Sequence, residues 1–550
     1  MNRESQADGG TPDAQRLGFG AVADFAAARA GLADETWALL EEDYEPALER
    51  ELESRFAVAN GFIGMRGSLD VPSEASLPRT YVAGLYAHRP GPPPLSALVP
   101  APNAFPIRLT VDGVRLDISQ GEVRQHARLL HYREGSLRSL WRQRLPDGRE
   151  VGLESVRFAA MNTRQVAAQL LRLRFDRASE VEFALEEGAD SGSLTPLADT
   201  PQVWVAGGGH RFVACLRVLQ VAIDGRPASD WIDAAGLPVS FACQRELSLV
   251  LLTAYGLGEE PERVRTAAAS ALSEARGSTF PALLSRHGGL WESRWQASEI
   301  VVEGDEEAQK ALRFAVFHLN GAARPGDAAV SIAARGLTGD GYLGHVFWDT
   351  EAFILPFFTF TWPEVARSLL EYRVRTLPAA RAKAQRLGFR GAFYAWESTD
   401  TGEESTPPYA LGPHGEVIAI RNGDLEKHVS AAIPYAVWRY WLATHDEDFL
   451  LRGGAEVMLE TARFWASCAR LEPDGQFHIR HVIGPDEYHE DVDDNAYTNY
   501  MARWTIERAI DTARLLSERH PPEWRDLAAK TGLTDQELAD WERVASALYL

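Results

Sequence analysis

At 550 residues the chain is too long for one ordinary hydrophobic core, and two or three domains are expected. Its hydrophobic fraction of 45% and charged fraction of 24% are those of a soluble globular protein. With 56 basic against 78 acidic residues the formal charge is −22, a surface that repels phosphate backbones and anionic lipid and so argues against nucleic-acid and membrane partners.

The segment from Met1 to Leu17 is polar and has no apolar run of the kind a secretory leader needs. No stretch is long enough to span a bilayer; Ala352 to Phe360 is short and interrupted by Pro356, so a cytoplasmic protein is expected. From about residue 100 to 256 the apolar period is two. Ile107, Leu109 and Val111 alternate with polar residues, and Asp112-Gly113 turns the chain into Val114, Leu116 and Ile118. Asp147-Gly148 and Asp224-Gly225 repeat the device, and Leu247 to Tyr255 reads as a central, doubly buried strand. The pattern predicts an antiparallel β-sandwich over residues 1–258. Cys215, Cys243 and Cys468 are far apart and odd in number, so they predict small buried residues rather than a disulfide framework.

After Gly256 the period changes to that of helices. Residues 261–275 and 281–298 form a helical linker, placed over 259–304. Over 305–550 the sequence predicts antiparallel helical hairpins. One helix is capped by Asp305, one by Asp424 and runs through Val429, Ile433 and Val437, and one carries Val457, Phe464, Trp465 and Cys468.

Three loops between these helices carry the unusual chemistry. Gly341 to Glu351 contains Trp348-Asp349, Tyr394 to Glu404 contains Trp396-Glu397, and Ile483 to Ala496 places six carboxylates between Asp486 and Asp494. A sugar offers an apolar C–H face and a rim of hydroxyls, so its site wants flat rings beside carboxylates. Each loop supplies both. Crowding in the third loop is expected to raise at least one carboxyl pKa, as a proton donor requires, and Glu487 is the expected acid. The competing reading is a solvated acidic loop at a helix entrance. The aromatic and amide residues Tyr488, His489, Asn495, Tyr497 and Asn499 in the same stretch argue against it. The loop lacks the glycine and glutamate positions of a calcium loop, and no phosphate-binding glycine loop, zinc motif or serine elbow is found, so no metal or cofactor is expected.

Four segments together resemble glycoside hydrolase family 65, the maltose, trehalose and kojibiose phosphorylases. They are Glu53 to Gly67, Gly336 to Glu351 with its Gly-His-Val-Phe-Trp-Asp-Thr-Glu ending, Tyr394 to Glu404, and Gly484 to Asn499. The resemblance implies an N-terminal β-sandwich, a helical linker and an (α/α)6 toroid barrel. It also implies that Glu487 is the general acid, that Trp348 and Asp349 hold the glucosyl unit, and that His428 lies near the site; Trp396, Glu397 and Tyr497 are expected as further sugar contacts from the ring and carboxylate chemistry of their loops. Two departures stand out: Arg335 replaces the usual lysine before Gly-Leu-Thr-Gly, and Pro434 falls inside a helix, implying a kink or altered boundary. Only eight or nine of the twelve barrel helices are counted after Asp305, so the barrel is expected to be incomplete at its C-terminal end. The family segments for a Lys-Gln glucose contact and for phosphate binding are then absent.

The implied reaction is inverting phosphorolysis of an α-linked disaccharide or glucoside to β-glucose 1-phosphate and a free acceptor. Inorganic phosphate is the co-substrate and a homodimer a possible assembly. Two alternatives stay open: an inverting hydrolase using Glu397, Glu403 or Glu404 as general base, and a non-catalytic sugar-binding protein.

Overall fold

The computed structural model describes residues 22–89, 95–186, 193–234 and 237–550; the polar segment from Met1 to Leu17 lies outside them. The expected sandwich is present. An eleven-stranded antiparallel sheet packs against a four-stranded one formed by Ile107–Val111, Val114–Arg115, Ser179–Leu185 and Val239–Cys243. Asp112 and Gly113 both take positive φ (44° and 80°), and so do Asp224 and Gly225 (47° and 77°), the geometry of a tight hairpin turn. All three cysteines are buried and free.

The strand Glu246–Gly258 lies between Val166–Phe175 and Phe212–Ile223, in the middle of the large sheet. Its side chains alternate between two cores. Leu247, Leu249 and Leu251 enter the space between the sheets, with Leu109, Val181 and Phe183. Val250, Leu252 and Ala254 face the other way, onto helices. This double burial accounts for the unbroken apolar run.

α1 (Glu49–Arg55) is a short helix at the sheet edge. The helices on the outer face of the large sheet are α2 (Pro261–Arg276) and α3 (Phe280–Ser298). They bury Val264, Ala268, Leu272, Leu283 and Leu284 there. α4 (Glu306–Ala322) is capped by Asp305, whose carboxylate accepts from the Ala308 amide at 2.9 Å, as expected. The helical region continues through α5 (Leu355–Thr361), α6 (Pro363–Arg386), α7 (Val429–Thr444), α8 (Ala455–Cys468), α9 (Ala496–Arg519), α10 (Pro521–Thr531) and α11 (Asp535–Ala547). Counting α4, these are eight helices of seven residues or more after Asp305, fewer than a twelve-helix ring requires.

Two expectations about α7 are corrected. Asp424 does not cap it: Asp424 sits in the separate turn Asn422–Leu425, and the helix begins at Val429 after His428. Local capping propensity lost to the tertiary demands on residues 422–428, described below. Pro434 moves neither boundary, because the helix runs through it. The Ser430 carbonyl, four residues earlier and deprived of its amide partner by the proline, accepts from Trp465 Nε1 at 3.3 Å.

Glu53 to Gly67 is a structural joint. Asn60 donates to the Ala160 carbonyl at 2.7 Å and accepts from the Phe62 and Ile63 amides. Gly61 has φ +84°, and a Cβ there would stand 2.0 Å from the Ala323 carbonyl oxygen, so only glycine lets the sheet meet the end of α4. Beside the joint, Arg128 is fully buried between Glu41 and Glu49, donating to Glu49 at 2.8 Å. Removing one partner of such a pair strands a buried charge. Arg128→Met is therefore expected to lower stability by about 3–5 kcal/mol, measured by urea unfolding; a loss below about 1 kcal/mol, the scale of a surface pair, would refute the assignment.

Candidate active site

The rings singled out in three separate loops come together. Trp348 and Trp396 stand 6.4 Å apart, and His428 packs edge-on against both, at 4.7 and 5.1 Å. Tyr497, in the first turn of α9, closes the cluster 6.3 Å from Trp348 and 6.0 Å from His428. Asp349 is half-buried beside Trp348. Burial pushes the His428 imidazole down to about 4, so at neutral pH it is an uncharged ring. Arg335 is outside this cluster: it is exposed, its guanidinium 5.8 Å over Tyr342.

One buried guanidinium ties these loops together. Arg373, on α6, makes a bidentate pair with Glu351 at 2.7 and 2.8 Å, and both side chains are excluded from solvent. Arg373 also donates to the Phe347 carbonyl and the Ser398 hydroxyl, while its own carbonyl accepts from the Tyr394 hydroxyl at 2.9 Å. Trp348 is thereby held from one side and Trp396 from the other.

The carboxylates take different states. Glu404 accepts from Lys383, Thr406 and the Trp396 amide. Burial alone would raise its pKa, but these partners outweigh it and the net shift is downward. Glu397 is held by His345, whose Nδ1 lies 2.7 Å from Oε2. The other nitrogen of His345 donates to the Ser96 carbonyl at 2.6 Å, so the β-region fixes the ring that orients Glu397. Burial raises Glu397 despite that contact. Glu403 is exposed.

In the acidic loop two of the six carboxylates, Asp491 and Asp494, are held down by partners of their own. Asp491 is lowered by His481 and Arg421. Asp494 is lowered overall, since His478, Asn499 and the Ile479 amide outweigh its burial. The strongly raised carboxyl is Glu426, outside the loop, pushed to about 9 by burial and then by the nearby charge of Glu487. Glu487 itself is exposed at the rim. The Ile483 amide donates to the Leu425 carbonyl at 3.0 Å, bringing the loop onto the 422–428 segment. There Asn422 Nδ2 donates to Glu487 at 3.3 Å and also to Glu426, two residues before His428.

Sequence reasoning missed Asn422, Glu426, Arg373 and the pairing of His345 with Glu397. The available signal was the charged triplet Glu426-Lys427-His428 opening an otherwise apolar helix, where solvated charges have no place.

The N-terminal domain of glycosyl hydrolase family 65 matches residues 39–207, and the family's central catalytic domain matches residues 313–550. A kojibiose phosphorylase of Caldanaerobacter subterraneus subsp. tengcongensis is 32% identical, over 94% of this chain and 72% of its own. The chain belongs to glycosyl hydrolase family 65. A second family 65 relative, the kojibiose phosphorylase of Thermoanaerobacter brockii, is 33% identical over 94% of this chain and 71% of its own. A solved structure named "Putative kojibiose phosphorylase from human microbiome" shares the fold, with TM-score 0.83 and 21% identity, covering 94% of this chain and 70% of that one. In this family 65 chain no group of three or more His, Cys, Asp or Glu suited to a metal ion is found among the described residues, nor a helix long and apolar enough to cross a membrane.

Breaking the Arg373–Glu351 pair should release the loops. Arg373→Met is expected to cost about 3–5 kcal/mol and to change the tryptophan fluorescence of the native state. An unchanged spectrum and unchanged stability would contradict the role given to it.

Proposed function

We propose that this family 65 enzyme is an inverting glycoside phosphorylase acting on an α-glucosidic disaccharide or glucoside. The single observation that carries the reading is the convergence of Trp348, Trp396, His428 and Tyr497 with Glu487 brought to their rim through Asn422. A glucosyl ring packs its C–H face on such rings, with Asp349 and Glu397 accepting from its hydroxyls.

In the reaction, a phosphate oxygen attacks the anomeric carbon on the face opposite the leaving group. As the glycosidic C–O bond breaks, Glu487 gives its proton to the departing oxygen. The products are β-glucose 1-phosphate and a free acceptor. Phosphate is already an anionic nucleophile, so no second carboxylate has to activate it. Phosphate is the only co-substrate in this reading, and the enzyme works in the cytoplasm, as a homodimer. The carboxylates considered for a hydrolytic base support that role poorly: Glu404 is paired with Lys383, Glu397 is held by His345, and Glu403 faces solvent.

Glu487→Gln is expected to lower turnover by about 10²–10⁴-fold while calorimetry still detects glucoside binding; normal turnover would remove Glu487 from its role. With the unaltered protein, kojibiose or a related α-glucoside should be consumed only when phosphate is present. Release of glucose at the same rate without phosphate would make the enzyme a hydrolase.

A further inference from the structure

Glu426 has no solvent exposure, and among the described residues no Lys or Arg pairs with it. The groups facing it are Glu487 from the acidic loop, Glu397 and Glu404 from the 394–404 loop, and the uncharged ring of His428, 3.7 Å from its Oε2. The nearby ammonium groups are engaged elsewhere: Lys383 binds Glu404 and the Tyr394 carbonyl, and Lys427 donates to the His481 carbonyl. Asn422 donates to Oε1, while Oε2 has no hydrogen-bond partner among the described residues. An ionised carboxylate with one amide donor and three carboxylate neighbours would be stranded in a low dielectric. A carboxylic acid is not: it accepts from Asn422 through one oxygen and keeps an O–H on the other.

We propose that Glu426 is a positioning residue that operates as an uncharged carboxylic acid. It turns Asn422 toward Glu487 and so sets the acid at the rim of the aromatic cluster. The same Asn422 amide nitrogen reaches both carboxyl groups, so the orientation of Glu487 depends on what Glu426 accepts. An ionised Glu426 would add its own negative charge beside the Glu397 and Glu487 carboxyl groups, around the place a sugar occupies. The upward shift of Glu426 to about 9 agrees with this geometry. No proton leaves Glu426 during turnover; Glu487 alone gives one.

The catalytic part rests on the phosphorylase reading, but the protonation state does not, and two measurements need no turnover. First, infrared difference spectra at pH 7.5 between wild type and Glu426→Gln should contain the C=O stretch of a protonated carboxyl, lost in the variant. Second, the linkage has a definite sign. The carboxyl is ionised in the unfolded chain above the ordinary glutamate value of 4.5 but stays protonated in the fold up to about 9. Wild type is therefore progressively destabilised as pH rises across that window, and glutamine is not. The Tm of Glu426→Gln should exceed that of wild type at pH 8, and the gap should shrink toward pH 5. In turnover, Glu426→Leu should lower kcat by about 10-fold or more, the typical scale of a lost positioning contact, and Glu426→Gln should recover most of that loss. Absence of the protonated-carboxyl band, or a Tm gap independent of pH, would overturn the proposal, whatever the reaction proves to be. So would a kcat for Glu426→Gln as low as that of Glu426→Leu.

Discussion

Arg373 and Glu351 cannot be separated without leaving a bare charge in the protein interior, and the site is assembled around that constraint. The guanidinium reaches from α6 to the 347–351 segment, the Ser398 hydroxyl and, through its own carbonyl, the Tyr394 hydroxyl. Desolvating both ions is expensive, and only good geometry recovers the cost. The bidentate contact, with its extra hydrogen bonds, supplies that geometry and admits few alternative arrangements. Two loops distant in sequence therefore share one anchor, and Trp348 and Trp396 face each other as a consequence.

The β-region is a wall of the same site rather than a separate appendage. The Ser96 carbonyl accepts from one nitrogen of His345, and the other nitrogen meets Glu397. Tyr86 donates to the Gly344 carbonyl at 2.7 Å, and Arg211 pairs with Asp400 at 2.9 Å. Gly344 has φ +70°, and a Cβ there would come within 2.3 Å of Leu98, so this loop lies against the β-region with no space for a side chain. Sheet and helices thus fix one another, and displacement of the strand around Ser96 would reach Glu397 through one histidine.

Four glutamates around the rings show how environment separates chemically identical groups. Glu404 is stabilised as a carboxylate by Lys383, and Glu397 shares its contact with His345. Glu426 is buried without a counter-ion, and Glu487 stands at the solvent edge. Burial acts on the first three alike; the differences come from what each one touches. Such divergence lets one region keep a paired anion, an oriented carboxyl, a buried carboxyl without a counter-ion and an exposed one.

Local features of this chain were legible without coordinates. Period two gave way to period 3.6 near Gly256, the Asp112-Gly113 and Asp224-Gly225 turns adopted their positive φ angles, and Asp305 capped its helix, because alternation, turn chemistry and capping act over a few residues. The tryptophan and carboxylate pairings of the loops were visible for the same reason. What no short window contains is the partner of each charge. Asp424 caps no long helix, the carbonyl freed by Pro434 meets Trp465, Asp491 and Asp494 pair with Arg421, His481 and His478, and the strongly raised carboxyl is Glu426. Each outcome depends on desolvation and on contacts between residues tens of positions apart, and only the folded chain brings those together.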